Sequence, residues 1–220
     1  MKLSKSTIEI LKNFSLINPN ILIKSGNKLS TLAVAKNIMA EVEVDEKFDK
    51  DFGVFNLPEL LGVIQMMGEP EIKLEDKYMT LSEGTSKLRY VYSDPSILTS
   101  PKKGIKLPSD DIAFSLSSAQ LMQIQKAAAA LGVQDVAVVG NGTKLVIQVI
   151  DKKNEGSNQY TIDLNTKSAK EFTVYFKIEN FKHISDDYEV TISSKNISKF
   201  VGQSVKITYF VAVEQDSIWS

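Results

Sequence analysis

The sequence predicts an α+β protein built from two similar domains, and three observations carry that prediction. Apolar and polar residues alternate over many short runs, as strands with one covered face require. Between those runs lie a few stretches whose apolar residues recur at helical spacing. The pairing of one helix with several strands then recurs four times along the 220 residues, with helix starts near residues 5, 57, 117 and 178. Four copies of one unit make two domains of two copies each.

In the first unit, KSTIEILKNFSLI places Ile8, Leu11, Phe14 and Ile17 on one arc. Lys5 and Lys12, seven residues apart, return to nearly the same bearing at about 100° per residue, on the opposite side. The strands NILIKSG, KLSTLAV and MAEVEV follow. The second unit opens with DFGVFN, enters the helix LPELLGVIQMM, and continues as EIKLED, YMTLSE and KLRYVYS. The third runs from IAFSL into SSAQLMQIQKAAAAL, with Leu121, Ile124, Ala128 and Leu131 as the buried stripe and Lys126 across from it. Its strands are DVAVVG, KLVIQVID and QYTIDL, and Asn141-Gly142 marks a two-residue hairpin turn. The fourth runs from EFTVYF into a short helix, KIENFKHI, flanked by Lys177 and Lys182, then YEVTISS, ISKFVGQ and VKITYFVAV. Three helix entrances share their wording: Phe55-Asn56-Leu57, Phe114-Ser115-Leu116 and Phe176-Lys177-Ile178.

Pro95, Pro101, Gly104 and Pro108 punctuate a stretch without sustained period. The expected organisation is a domain over 1–93, a linker over 94–110 and a domain over 111–220. Ile97-Leu98 within the linker either pin it down or edge a peptide-binding groove.

Composition excludes several kinds of chemistry. No cysteine is present and His183 is the only histidine, so disulfides, thiolate metal sites and histidine-based triads drop out. No apolar run reaches the length of a membrane span. Met1–Lys5 leads straight into an amphipathic pattern, so the expectation is a soluble, intracellular protein that does not associate with membranes. The carboxylates Asp45-Glu46 with Asp49 and Asp51, and Asp186-Asp187, are numerous enough to consider magnesium, but solvated acid clusters are far commoner. KSGNKLST lacks the GxxxxGK[ST] spacing of a phosphate loop. No catalytic residue, metal or cofactor is assigned.

The formal net charge of −1 argues at face value against a nucleic-acid partner. The charges are nevertheless segregated. Lysines favour the exposed faces of three helices, while Glu41, Glu43, Asp45, Glu46, Asp49 and Asp51 crowd onto one strand and its loop. The second helix departs from this pattern: its outer face carries Glu59, Gly62, Gln65 and Met66.

MKLSK, LKNF, the following IN and KSG, and DPS at the linker resemble the sliding clamps of large tailed bacteriophages, the processivity factors of their replicative DNA polymerases. The first 30 or so residues carry the closest wording, and the later chain agrees in order and layout. The resemblance implies a homotrimeric ring with pseudo-sixfold symmetry, sheets outside and helices lining a hole through which duplex DNA passes without sequence preference. It implies that Lys5, Lys12, Lys126 and Lys182 face the DNA, with Lys177 beside them at a strand end. It places the subunit joint between Leu88 and Tyr90 of one chain and Tyr160 and Ile162 of the next, residues that read equally well as intramolecular core. Ile97, Leu98, Val211 and Val213 would receive the peptides of the polymerase and other partners. A separate ATP-driven clamp loader is implied. The competing expectation is a non-catalytic, β-rich structural or virion component with incidental lysines.

Overall fold

The computed structural model describes residues 1–219. Helix α1 (Lys5–Ile17) begins where Ser4 caps it, its hydroxyl accepting from the Thr7 amide at 3.2 Å. The Glu46 carboxylate closes the same end by accepting from the Ser4 amide and the Thr7 hydroxyl. Burial pushes the Glu46 carboxyl up, but these hydrogen bonds outweigh it and hold the group below its ordinary value. One member of the acidic run is thereby a structural cap. The buried face of α1 comprises Thr7, Ile10, Leu11, Phe14 and Ile17; Ile8 is only half-buried, so the core-facing arc is rotated toward Ile10.

The chain divides into two compact units, residues 1–104 and 105 onward. In the first, α1 is followed by β1 (Ile21–Ile23), β2 (Gly26–Leu32), β3 (Ile38–Phe48) and β4 (Phe52–Val54). Strands β2 and β3 form a hairpin, and β1 pairs with β4. Helix α2 (Leu57–Met67), capped by Asn56, leads to an antiparallel meander of β5 (Glu71–Leu74), β6 (Tyr78–Glu83) and β7 (Ser86–Val91). Strand β7 lies at the edge of that sheet. Its core side is fixed by Met79 and Leu81 of β6, both buried.

The second unit opens with β8 (Ile112–Leu116) and α3 (Ser118–Leu131). A capping box starts α3: Ser117 and Gln120 satisfy each other's backbone amides, and Gly132 ends it in the left-handed region at φ 66. Strands β9 (Asp135–Asn141), β10 (Leu145–Ile150), β11 (Tyr160–Thr166) and β12 (Glu171–Lys177) follow, then β13 (Tyr188–Ser193), β14 (Ile197–Gly202), β15 (Thr208–Ala212) and β16 (Ile218–Trp219). One antiparallel sheet runs β11-β10-β9-β12-β16, and within the unit the others run β15-β14-β13-β8. Strand β11 is an edge, like β7. The expected hairpin joins β9 to β10, but its two central residues are Gly142 and Thr143. Gly142 takes the positive φ of 81, while the Asn141 side chain accepts from the amides of Thr143 and Lys144.

The fourth helix expected over KIENFKHI is absent; only a single 3-10 turn forms, Ile178–Asn180. Lys177 remains in β12, no side chain caps the turn, and Phe181 leaves it to join a buried aromatic cluster. So short a segment cannot offset the cost of helix nucleation when burial draws its residues elsewhere. The Asp186 carboxylate accepts from the amides of Asp187, Ser204 and Val205, so that acid too is committed to the fold.

His183 sits inside this cluster, its ring centroid 4.3 Å from that of Tyr209 and 4.7 Å from that of Phe200. Both ring nitrogens are buried without a hydrogen-bond partner. Burial pushes the imidazole down to about 3. Because the folded value lies below the unfolded one, the unfolded chain binds a proton first as pH falls below about 6.5. Stability should therefore drop by about 2 kcal/mol between pH 7 and pH 5, a window in which carboxylates contribute little. Urea titrations should show that loss in the parent and not in His183→Leu.

Candidate nucleic-acid interface

The buried stripe of α1 fixes its rotation, and Lys5 and Lys12 are consequently both exposed. On α3, Leu121, Ile124 and Ala128 are buried, Leu131 is half-buried, and Lys126 is exposed. None of Lys5, Lys12 and Lys126 takes part in an ion pair among the described residues. Several lysines on strands and loops are instead paired. Lys28 pairs with Glu41 at 2.9 Å, Lys144 with Asp163 at 2.8 Å, and Lys152 with Asp216 at 2.8 Å. Unneutralised ammonium groups thus stand on the helix faces. Glu9 shares the exposed side of α1 and tempers its charge, and α2 contributes no base.

Lys182 is exposed just beyond the 3-10 turn. Gln125, which no pattern in the sequence singles out, donates from Nε2 to the Phe181 carbonyl at 2.8 Å. This bond moors the segment bearing Lys182 alongside the helix bearing Lys126. No periodicity or motif signals such a tether; it exists only once the chain has folded. Lys177 is a correction. Its side chain is half-buried at the end of β12 and donates to Asp135 at 2.6 Å, which raises the ammonium above its ordinary value. The charge is spent inside the unit, so Lys177 presents no free cation.

The other expected sites separate by exposure. Val211 and Val213 are 0% and 4% exposed and belong to the core, so they line no partner pocket. Sequence alternation marks them as apolar but does not distinguish core from groove. Ile97 is 60% exposed on a short 3-10 turn, Pro95–Ile97. Its neighbour Leu98 packs against the backbone of Gly53, where an added Cβ would stand 2.6 Å from Leu98 Cδ1 and 2.6 Å from the Ser93 carbonyl. Leu98 pins the linker and Ile97 does not, so the two halves of that dipeptide do different work.

Leu88 and Tyr90 lie on β7, both half-buried, and the Tyr90 hydroxyl donates to the Asn56 carbonyl at 3.2 Å. On β11, Tyr160 is 38% exposed and Ile162 points into the core. Among the described residues both strands leave one backbone edge unpaired. The guanidinium of Arg89 stacks on the Tyr78 ring at 4.1 Å, bringing positive charge to the β7 edge, whereas Asp163 on β11 is already paired with Lys144.

Comparisons with known proteins cover most of the chain. The DNA polymerase processivity factor family matches residues 2–98, and the C-terminal family of the gp45 sliding clamp matches residues 113–215. The chain is similar to the sliding clamp of Vibrio phage KVP40, with 30% identity covering 97% of this chain and 99% of the relative. Among solved structures it resembles the proliferating cellular nuclear antigen of Entamoeba histolytica, with TM-score 0.69, 15% identity and 97% of each chain covered. It also resembles A. fulgidus PCNA, solved with the C-terminal region of FEN-1 bound, with TM-score 0.68, 14% identity and 98% of each chain covered.

The environments of the lysines give a direct check. Lys177→Ala strands the buried Asp135 carboxylate and should lower unfolding stability by about 1 to 3 kcal/mol. Lys12→Ala and Lys126→Ala should leave it nearly unchanged. Gly53→Ala should displace Leu98 and Ser93, costing about 1 to 3 kcal/mol and loosening the linker, which limited proteolysis would detect.

Proposed function

Because the chain belongs to the family of phage sliding clamps, the processivity factors of DNA polymerases, we propose that three copies close into a ring around duplex DNA with α1 and α3 facing the hole. The observation that carries this reading is the set of exposed, unneutralised lysines on helix faces in both units. The clamp tethers a replicative polymerase to its template. Its role is that of an accessory protein, and catalysis belongs to the polymerase. The expectation of a structural or virion component is set aside by family membership.

The charge arrangement suits the task. Duplex DNA carries one negative charge per roughly 1.7 Å of axis, and exposed charges act over about 8 Å at physiological salt. Lys5, Lys12, Lys126 and Lys182 supply a sparse positive wall that attracts phosphates without reading bases. So few contacts bind weakly, and retention comes from topology. Acids on strands and loops keep DNA off other surfaces. The joint forms by β7 of one copy meeting β11 of the next, with Leu88, Tyr90 and Tyr160 at the seam and Ile162 behind it; the two unpaired edges support this assignment. Partner peptides dock beside Ile97, supported by its exposure on the pinned linker. A separate ATP-driven loader opens the ring, and the assembly works in the cytoplasm of the infected host. The domains proposed are 1–93 and 111–220, joined by 94–110. Among the described residues no helix is long and apolar enough to cross a membrane.

Light scattering should give the mass of three chains, and the protein should remain on circular DNA while sliding off linear ends. Monomers, or retention indifferent to DNA topology, would overturn the ring. Lys12→Glu combined with Lys126→Glu should impair loading and polymerase stimulation while the trimer mass is unchanged. Normal stimulation by that double variant across a range of salt would remove α1 and α3 from the hole.

A further inference from the structure

One basic residue of the chain differs in kind from the rest: Arg89 is the only arginine, and all the others are lysines. It sits on β7, the open edge of the meander in the first unit, where Lys87, Arg89 and Val91 form the exposed face and Leu88 and Tyr90 the half-buried one. Its guanidinium lies 4.1 Å from the centre of the Tyr78 ring and has no carboxylate partner among the described residues. The ring orders the planar fork before any anion arrives, which the flexible stem of a lysine cannot match.

Strand β11 offers a carboxylate prepared in the same way. Its exposed face carries Thr161, Asp163 and Asn165, and Asp163 is the only acid of the strand, while Ile162 and Leu164 are buried. One Asp163 oxygen accepts from the Asn165 amide at 2.8 Å and the other from Lys144 Nζ at 2.8 Å. The Lys144 ammonium, and after it the Asn165 amide, hold the carboxyl below its ordinary value, so it is ionised at neutral pH. Each oxygen retains room for a further donor. The pair with Lys144 is largely in solvent, so it orders the carboxylate without cancelling its charge. Just past Asp163 the register against β10 shifts, and the regular edge ends there.

We propose that Arg89 of one copy binds Asp163 of the next, and that this pair fixes the register in which the two edges join. The inference rests on the ring reading for the meeting of β7 with β11, and on the two edges alone for the residues and their role. Alternation by itself leaves the register open. A slip of one residue turns the apolar faces outward, but a slip of two preserves them. In the slipped registers Arg89 faces Thr161 or Asn165, and Asp163 faces Lys87 or Val91. Lys87 supplies a charge without the ring-supported fork, and Val91 supplies none. Two groups that are already ordered lose little freedom when they meet, so the register in which they coincide is the preferred one.

Sedimentation of the full chain over a concentration series reads the balance between ring and single chains, and circular dichroism checks that each variant is folded. Arg89→Glu and Asp163→Arg each set like charges against each other at the seam. Each should raise the concentration needed for the three-chain mass at least about tenfold. The two combined should bring it back to within about threefold of the parent. A second measurement does not depend on altering Asp163. Assembly of the parent should weaken as salt rises from about 50 to about 200 mM, and assembly of Arg89→Gln should respond less. A parent ring indifferent to Arg89→Glu, or folded single variants whose combination restores nothing, would overturn the pairing and leave the ring standing. So would an Arg89→Gln ring as sensitive to salt as the parent. A parent that stays a single chain at every concentration would sink the ring reading, and the pairing with it.

Discussion

The rotation of α1 about its own axis is the constraint on which the lysine arrangement depends. Ile10, Leu11, Phe14 and Ile17 are buried along one stripe, and a turn of even one residue would expose part of it to water. Ser4 and Glu46 fix the same helix along its length by holding its first amides and the Thr7 hydroxyl. With both degrees of freedom removed, Lys5 and Lys12 have nowhere to point except away from the core. Helix α3 obeys the same rule through Leu121, Ile124 and Ala128, with the capping box at Ser117 and Gln120 in place of the carboxylate. A basic surface is thus a by-product of apolar packing on its opposite side.

Periodicity made most of this visible before folding was considered. Strand alternation and the stripes on α1, α2 and α3 sit in local sequence, and so did the helix-borne lysines. Pairwise chemistry between distant residues did not. Lys177 and Lys126 look alike in the chain, and only the approach of Asp135 from β9 separates a consumed charge from an available one. Glu46 looked like one more surface acid until α1 folded onto it. KIENFKHI has helical apolar spacing, but the burial of Phe181 against Phe200 of β14 is a long-range effect that this spacing does not carry. Val211 and Val213 are buried for a related reason hidden from sequence, since apolar alternation cannot distinguish a filled interior from a groove.

Net charge proved a poor guide to partners. Twenty-six basic and 27 acidic residues nearly cancel in the sum. On the folded chain they are partly sorted: several strand and loop lysines, Lys28, Lys144 and Lys152 among them, neutralise neighbouring carboxylates, while Lys5, Lys12 and Lys126 on α1 and α3 do not among the described residues. A polyanion close to one wall experiences that wall, because screening removes the rest within about 8 Å. The low total charge then works in favour of mobility, keeping attachment loose enough for sliding.

The two open strand borders, β7 and β11, differ in sequence and in charge. A contact between unlike borders is directional, so each copy that joins offers a fresh place for another. In the proposed ring, nothing in hydrogen bonding alone tells such a chain to stop at three. The stopping rule is angular: if successive copies are rotated by a third of a turn, the last border meets the first and the supply of free borders ends. A small error in that angle would give a spiral that grows without limit, so in the proposed ring a unit that holds its shape would guard solubility as much as function.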